Sequence, residues 1–336
     1  MFMARSFAGR CDALSAAGAA AQTIVSNAPH ARPECNGVDR SQGPARAPAH
    51  DGAIMAPAWN IALVAAGALA AGALALVFGA WRWQRATAAE VDALLHAAAR
   101  PQRRVDFRQL AGLPPPVARY LRRVLTDGAP IPHSARIAQQ GAFRIDLGSE
   151  RWFRFTATQT VTIAPPGFVW DARLRLAPGI DIRVRDGYRA GTDSIRAAVA
   201  GLFTVAALRG GAELAAGALQ RYLAEAPWFP YALLPEAGVT WRAIDERRAL
   251  ATLRDGAVAV ALEFTFNEAG DIERSYTPAR PYEDRGAFRP LPWGGTNSRW
   301  EERGGVRIPV QSEVAWYFPA GAAPYWRGRI AAVDYR

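Results

Sequence analysis

Residues 61–81 read IALVAAGALAAGALALVFGAW, 21 consecutive positions without a charge. Coiled as an α-helix, such a run covers about 30 Å, the thickness of a bilayer's hydrocarbon core. Trp59, Trp81 and Trp83 stand at its two ends, where interfacial aromatic residues collect. The pattern predicts a single membrane-spanning helix within 55–84, with residues 61–81 as the span. Arg82 and Arg85 separate the run from Ala86-Thr87-Ala88, the first Ala-x-Ala after it, which argues for a retained anchor over a cleaved signal. Helical spacing continues outward, with Val91, Leu94 and Leu95 on one face of 87–99. A second helix is expected over 113–125, opened by three prolines and carrying Val117, Tyr120, Leu121 and Val124 on one side. Residues 85–133 therefore read as a helical linker region.

From residue 134 the period changes from 3.6 to 2. Phe153, Phe155, Ala157 and Gln159 alternate with Trp152, Arg154, Thr156 and Thr158. Phe168, Trp170, Ala172 and Leu174 alternate with Asp171, Arg173 and Arg175, and Ile180, Ile182 and Val184 with Asp181, Arg183 and Arg185. Turn residues such as Pro165-Pro166-Gly167 and Pro178-Gly179 separate these runs, so an antiparallel meander follows. Residues 212–226 interrupt it with a helix-forming stretch, and further strands are expected at 239–244, 248–253, 257–267, 272–279, 297–303, 306–318 and 326–335. About ten strands in succession twist too much to stay flat. The expected fold is α+β: a large curled antiparallel β-sheet, a half-barrel over 134–336 with a helix inserted near 212–226, preceded by a single transmembrane helix.

Composition removes many chemistries. The 336-residue chain is 50% hydrophobic and 21% charged, ordinary for a folded protein, with a formal net charge of +10. All 40 basic residues are arginine, so no lysine Schiff base or phosphate-loop lysine exists. The two cysteines, Cys11 and Cys35, lie near the N-terminus, and of the four histidines (His30, His50, His96, His133) one follows residue 100. A Cys/His metal site in the main domain is excluded on these counts, and no cofactor is implied. The arginines are scattered singly along strands, so no nucleic-acid partner is expected. Residues 1–54 are polar and rich in Pro and Ala, which predicts a disordered or mis-called N-terminal extension, with Met55 as a natural start. A start there would place the main domain in the cytoplasm by its flanking arginines; a carrier-like fold argues for the other side.

Four segments, LPPPVARYLRRVL (113–125), PPGFVWDARL (165–174), RYLAEAPWFPYALLP (221–235) and PYWRGRI (324–330), carry a family resemblance. They resemble an uncharacterised bacterial family of membrane-anchored proteins, known as a domain of unknown function; the resemblance implies a bacterial cell-membrane location and no established activity. More distantly, a meander curled around a helix is similar to half-barrel lipoprotein carriers with a lipid cavity.

Arg221, Tyr222, Glu225, Trp228 and Tyr231 form the densest cluster of informative residues. An i,i+4 ion pair accounts for Arg221 and Glu225; a pocket lined by Trp228 and Tyr231 would give Glu225 a polar headgroup to bind. Eight of the eleven tryptophans follow residue 100, among them Trp170 and Trp316, and serve either as core or as the lining of a cavity. Arg327 would stand beside a lipid phosphate, or simply on an alternating strand. Asp171 and Glu313 are surface carboxylates unless they converge for acid–base work. The leading expectation is a membrane-tethered binding protein for a lipid or other apolar ligand, without catalysis. A carboxylate-dependent hydrolase acting on a membrane-derived substrate and a protein-interaction scaffold are the alternatives.

Overall fold

Strands β1 (Ser134–Phe143) and β13 (Gly321–Tyr335), first and last in the chain, lie side by side at the centre of one sheet. The computed structural model describes residues 58–98, 103–177, 180–284 and 286–336. The expected tail 1–54, Met55, Cys11, Cys35, His30, His50 and the Pro178-Gly179 turn lie outside them. One wing runs outward through β2 (Phe153–Thr162), β3 (Gly167–Ala177), β4 (Ile180–Arg189), β5 (Thr192–Val199) and β6 (Phe203–Arg209). The other wing runs outward through β12 (Val306–Phe318), β11 (Ala287–Arg303), β10 (Ile272–Asp284), β9 (Val258–Phe266), β8 (Arg248–Asp255) and β7 (Val239–Ala243). Every pairing in this 13-stranded sheet is antiparallel.

Period-2 patterning decides which way each strand faces. On β9, Val260, Leu262, Phe264 and Phe266 are buried while the residues between them are not. Cross-strand register assembles one continuous inward row, Ile137–Gln159–Trp170–Asp186–Ile195–Leu208, across the first wing. The sheet curls until its wings meet: Tyr188 donates its hydroxyl to Asp255 Oδ2 at 2.8 Å, and the Gly191 amide donates to the same oxygen at 3.2 Å. The result is the expected half-barrel.

The chain passes from edge strand β6 to edge strand β7 through helix α3 (Ala212–Glu225) and three 3-10 turns, a connection that fills the concave face. Leu219, Tyr222 and Leu223 are buried there, and Tyr222 donates its hydroxyl to Thr162 O at 2.8 Å. Helix α2 (Pro115–Val124) seals another part of the core, with Tyr120 against Phe266 and Trp300.

Helix α1 (Ala58–Ala97) is one unbroken rod of 40 residues, about 60 Å long. Among the described residues it is the one helix long and apolar enough to cross a membrane. Trp59, Leu63, Leu69, Leu74 and Phe78 are exposed, whereas Trp83 and Leu94 are buried against the convex face of the sheet at β3 and β4, and Gly79 against the turn between β5 and β6. Gly79 permits the approach: a Cβ there would come within 2.6 Å of Leu202. Arg82 then donates to the carbonyls of Gly201 and Leu202, both at 3.1 Å, and Arg185 pairs with Glu90 at 3.0 Å.

Two parts of the sheet were not foreseen. Strands β5 and β6 carry Asp193, Ser194, Arg196 and Arg209 among small residues, which weakens the alternation. The first half of β11 contains Pro290, Pro292, Gly294 and Gly295, which read as breakers; yet a Cβ at Gly294 would overlap Ser275 O, so close strand approach is what that glycine serves.

Candidate functional site

Between α3 and the concave face lies a cavity of about 160 Å³. Its apolar wall is built by Phe143 at the end of β1, Ile145 just beyond it, Leu174 from β3, Val184 from β4, and Trp228, Trp293 and Trp326. Trp326 stacks obliquely with Trp228 and Phe155, with ring centroids 5.8 and 5.7 Å apart, so the tryptophans form a joined lining.

One wall is polar. Arg221, on the last turn of α3, donates from Nε to Glu225 Oε1 at 2.7 Å and from Nη1 to Asp186 Oδ2 at 2.5 Å. Its guanidinium lies 4.9 Å from the Phe168 ring and 5.1 Å from that of Trp170. Burial alone would lower the Arg221 pKa; the Glu225 and Asp186 carboxylates more than reverse that and raise it. Glu225 Oε2 accepts from Gln159 Nε2 at 2.6 Å, Gln159 Oε1 from Gln139 Nε2 at 2.8 Å, and Gln139 Oε1 from Trp170 Nε1 at 2.8 Å. The ends of this relay fix its direction, because an indole only donates and a carboxylate only accepts. Both glutamine amides are thereby oriented, and every member is satisfied, which is what makes a buried polar chain tolerable.

Arg280 on β10 stands apart from this relay. Its guanidinium lies 4.0 Å from the Trp293 ring and 5.6 Å from that of Trp316. The residue is half-buried, but its Nη1 is closed off from solvent and has no hydrogen-bond partner. Burial lowers its pKa. Behind it, a second cavity of about 70 Å³ is lined by Asp193, Glu213 and Trp316. Asp193 Oδ1 is buried without a hydrogen-bond partner, and its carboxyl is pushed up to about 8, first by burial and then by the Asp186 charge.

Of the residues expected from sequence, Arg221, Glu225, Trp228 and Trp170 line the larger cavity together, and Trp316 lines the smaller one. Three do not join them. Tyr222 points its hydroxyl into the β2 backbone, Tyr231 packs edge-on against Tyr335 at 5.8 Å, and Arg327 is exposed, pairing with Glu313 and stacking on Trp152. Asp171 and Glu313 do not converge: Asp171 lies on the convex face, accepting from Trp83 Nε1 at 2.7 Å, while Glu313 lies at the cavity. Sequence reasoning missed Asp186, Gln139, Gln159, Asp193 and Arg280. Asp186 had a signal, since parity puts it on the apolar face with Ile182 and Val184. Arg280 had none, because a register shift between Thr277 and Arg280 breaks the alternation. Among the described residues, no group of three His, Cys, Asp or Glu is placed to hold a metal ion.

A family model described as "Family of unknown function (DUF6544)" matches residues 103–328. The chain belongs to this family. The match covers α2, all of β1–β12, α3 and the start of β13, hence both cavities of this DUF6544 member. Among solved structures, the chain is similar to a crystal structure of a putative outer membrane lipoprotein-sorting protein domain from Vibrio parahaemolyticus. Identity is 7%, the TM-score 0.32, and the match covers 60% of this chain and 85% of that one. No curated protein matches the sequence.

Proposed function

We propose that this protein is a membrane-tethered binding protein that holds a lipid or other apolar ligand in the half-barrel. The observation that carries the reading is the cavity under α3, whose walls are tryptophan, phenylalanine and aliphatic side chains with one organised polar side. That combination is the common form of a small-molecule site. A cavity of this size admits an object on the scale of one aromatic ring, so a longer chain would extend from it.

The anchor supports the same reading. Helix α1 runs along β3 and β4 from Leu94, beside Gly167, to Gly79, beside the β5–β6 turn, and its exposed apolar half continues past that end of the sheet. By register, the same end carries Phe143 of β1 and Leu174 of β3, two of the cavity's walls. Phe203, 70% exposed, starts β6 there. A span in the bilayer would hold this end of the cavity against the membrane surface, the source of an apolar ligand.

Extraction and mass analysis of lipids from the full chain, purified in a nonionic detergent, tests the reading. One extractable apolar or amphipathic molecule per chain is expected; none, in preparations from several hosts, would overturn it.

The hydrolase alternative has one observation in its favour, the Asp186 and Asp193 carboxyls that line the smaller cavity together. It requires Asp193→Asn to abolish turnover of a lipid ester while leaving lipid retention unchanged.

A further inference from the structure

We infer that Arg280 is the head-group anchor of the cavity, and that the ligand is an anionic amphiphile whose carboxylate or phosphate sits against this guanidinium. The inference rests on the cavity reading above and names the ligand class.

Charge accounting around the cavity isolates Arg280. Arg221 has two carboxylates, Asp186 and Glu225, within 2.7 Å, Gln159 takes the remaining Glu225 oxygen, and the third carboxyl nearby, Asp193, is pushed towards its neutral form by burial. Glu313, at the rim, is held by Arg327. Among the described residues Arg280 enters no ion pair, although it is the one arginine besides Arg221 that lines the cavity. A guanidinium carries five donors and cannot discard its proton at physiological pH. Burying a charged guanidinium that has no ion pair is therefore costly, and an anion bound where Arg280 lines the cavity would offset that cost.

Its surroundings are also built to hold it still. Trp293 and Trp316 supply aromatic faces at 4.0 and 5.6 Å, and the Trp293 indole N–H is taken by Tyr325 Oη at 3.0 Å. Stacked rings satisfy the flat faces of a guanidinium and leave its edge for in-plane hydrogen bonds, the geometry that suits a carboxylate or phosphate. The apolar walls then receive the tail, which separates an amphiphile from a free inorganic anion.

Calorimetric titration of the full chain in a nonionic detergent distinguishes these ligands, using octanoate, 1-octanol and inorganic phosphate as probes. Wild type is expected to bind octanoate at least tenfold more tightly than octanol, with phosphate weaker than either. Arg280→Met, which keeps an unbranched side chain between the tryptophans, is expected to lose that tenfold preference and retain octanol. Arg280→Lys, which keeps the charge, is expected to retain part of it. Equal binding of octanoate and octanol by wild type would overturn the head-group role while leaving the cavity reading intact. An unchanged preference in Arg280→Met would do the same. Phosphate binding as tight as octanoate would replace the amphiphile with a free anion. Failure of both octyl probes to bind would sink the cavity reading and this inference together.

Discussion

Trp83 donates its indole N–H to Asp171 Oδ1 at 2.7 Å, tying the rod that begins as the apolar span to the convex face of the half-barrel. Trp170, the preceding residue on β3, faces the opposite way and donates into the cavity's polar relay. One strand thus carries the long apolar helix on one face and the cavity wall on the other, so the cavity has a fixed orientation relative to α1.

Trp83→Phe removes the donor while keeping the ring that lies 5.0 Å from the Arg185 guanidinium. Burial raises the Asp171 pKa and the Trp83 bond counters it, so the variant leaves a half-buried carboxylate with less to hold it. A loss of about 1–3 kcal/mol is expected, read as a lower melting temperature, together with faster proteolysis within 85–98 as the rod loosens. Unchanged proteolysis there would mean that the rod docks by other contacts alone.

Arg221→Met leaves Asp186 and Glu225 facing each other's surroundings without their shared cation. Removing one partner from such a buried group costs about 3–5 kcal/mol. The triple change Arg221→Met, Asp186→Leu and Glu225→Gln should recover most of it, because the remaining groups are then neutral. Denaturant unfolding of the single and triple variants checks both steps; a single variant as stable as wild type would show that the charges are solvated rather than locked.

Asp193 gives the fold a pH dependence of defined sign. Its carboxyl ionises near 3.8 when unfolded and near about 8 when folded, so between those values folding takes up a proton. Stability conferred by the protonated form is therefore lost as pH rises through this window. Asp193→Asn mimics the neutral carboxyl at every pH, so its stability relative to wild type should grow from pH 5 to pH 8, by at most ~1.4 kcal/mol per pH unit. Melting temperatures of both proteins at the two pH values measure this. A constant difference would show that Asp193 is ionised throughout.

Tyr188 and Asp255 hold the two wings of the sheet together. Tyr188→Phe should cost about 1 kcal/mol and speed amide exchange at Gly191, which donates to the same carboxylate, more than at Gly141 in central β1. Equal effects at both sites would mean that the contact does not govern wing closure.

The alternation in 153–159, 168–176 and 180–185 made the curled sheet legible, because a buried concave face and a polar convex face demand period 2. The long apolar helix was equally plain, and so was α3, a run of helix formers stopped by Pro227. What sequence could not convey is which strands meet. Asp186 and Glu225 are 39 positions apart and become neighbours only through Arg221 and the curl of the sheet. Gln139, Gln159 and Trp170 form a relay because register sets them on one inner face. Trp83 reads as an interfacial aromatic just beyond the apolar run, yet its indole is spent on a strand carboxylate. Tyr222, Tyr231 and Arg327 looked like pocket residues by composition; local helix phase and strand parity send them elsewhere.

Native mass spectrometry of the full chain released from a nonionic detergent, wild type beside Ala224→Phe, separates an occupied cavity from an empty one. Ala224 is on α3 and lines the cavity, so phenylalanine there would fill the space without breaking the helix. The account predicts one retained amphipathic molecule per wild-type chain and its loss in Ala224→Phe. A wild-type chain at its bare mass, or a molecule held equally by both proteins, would contradict it.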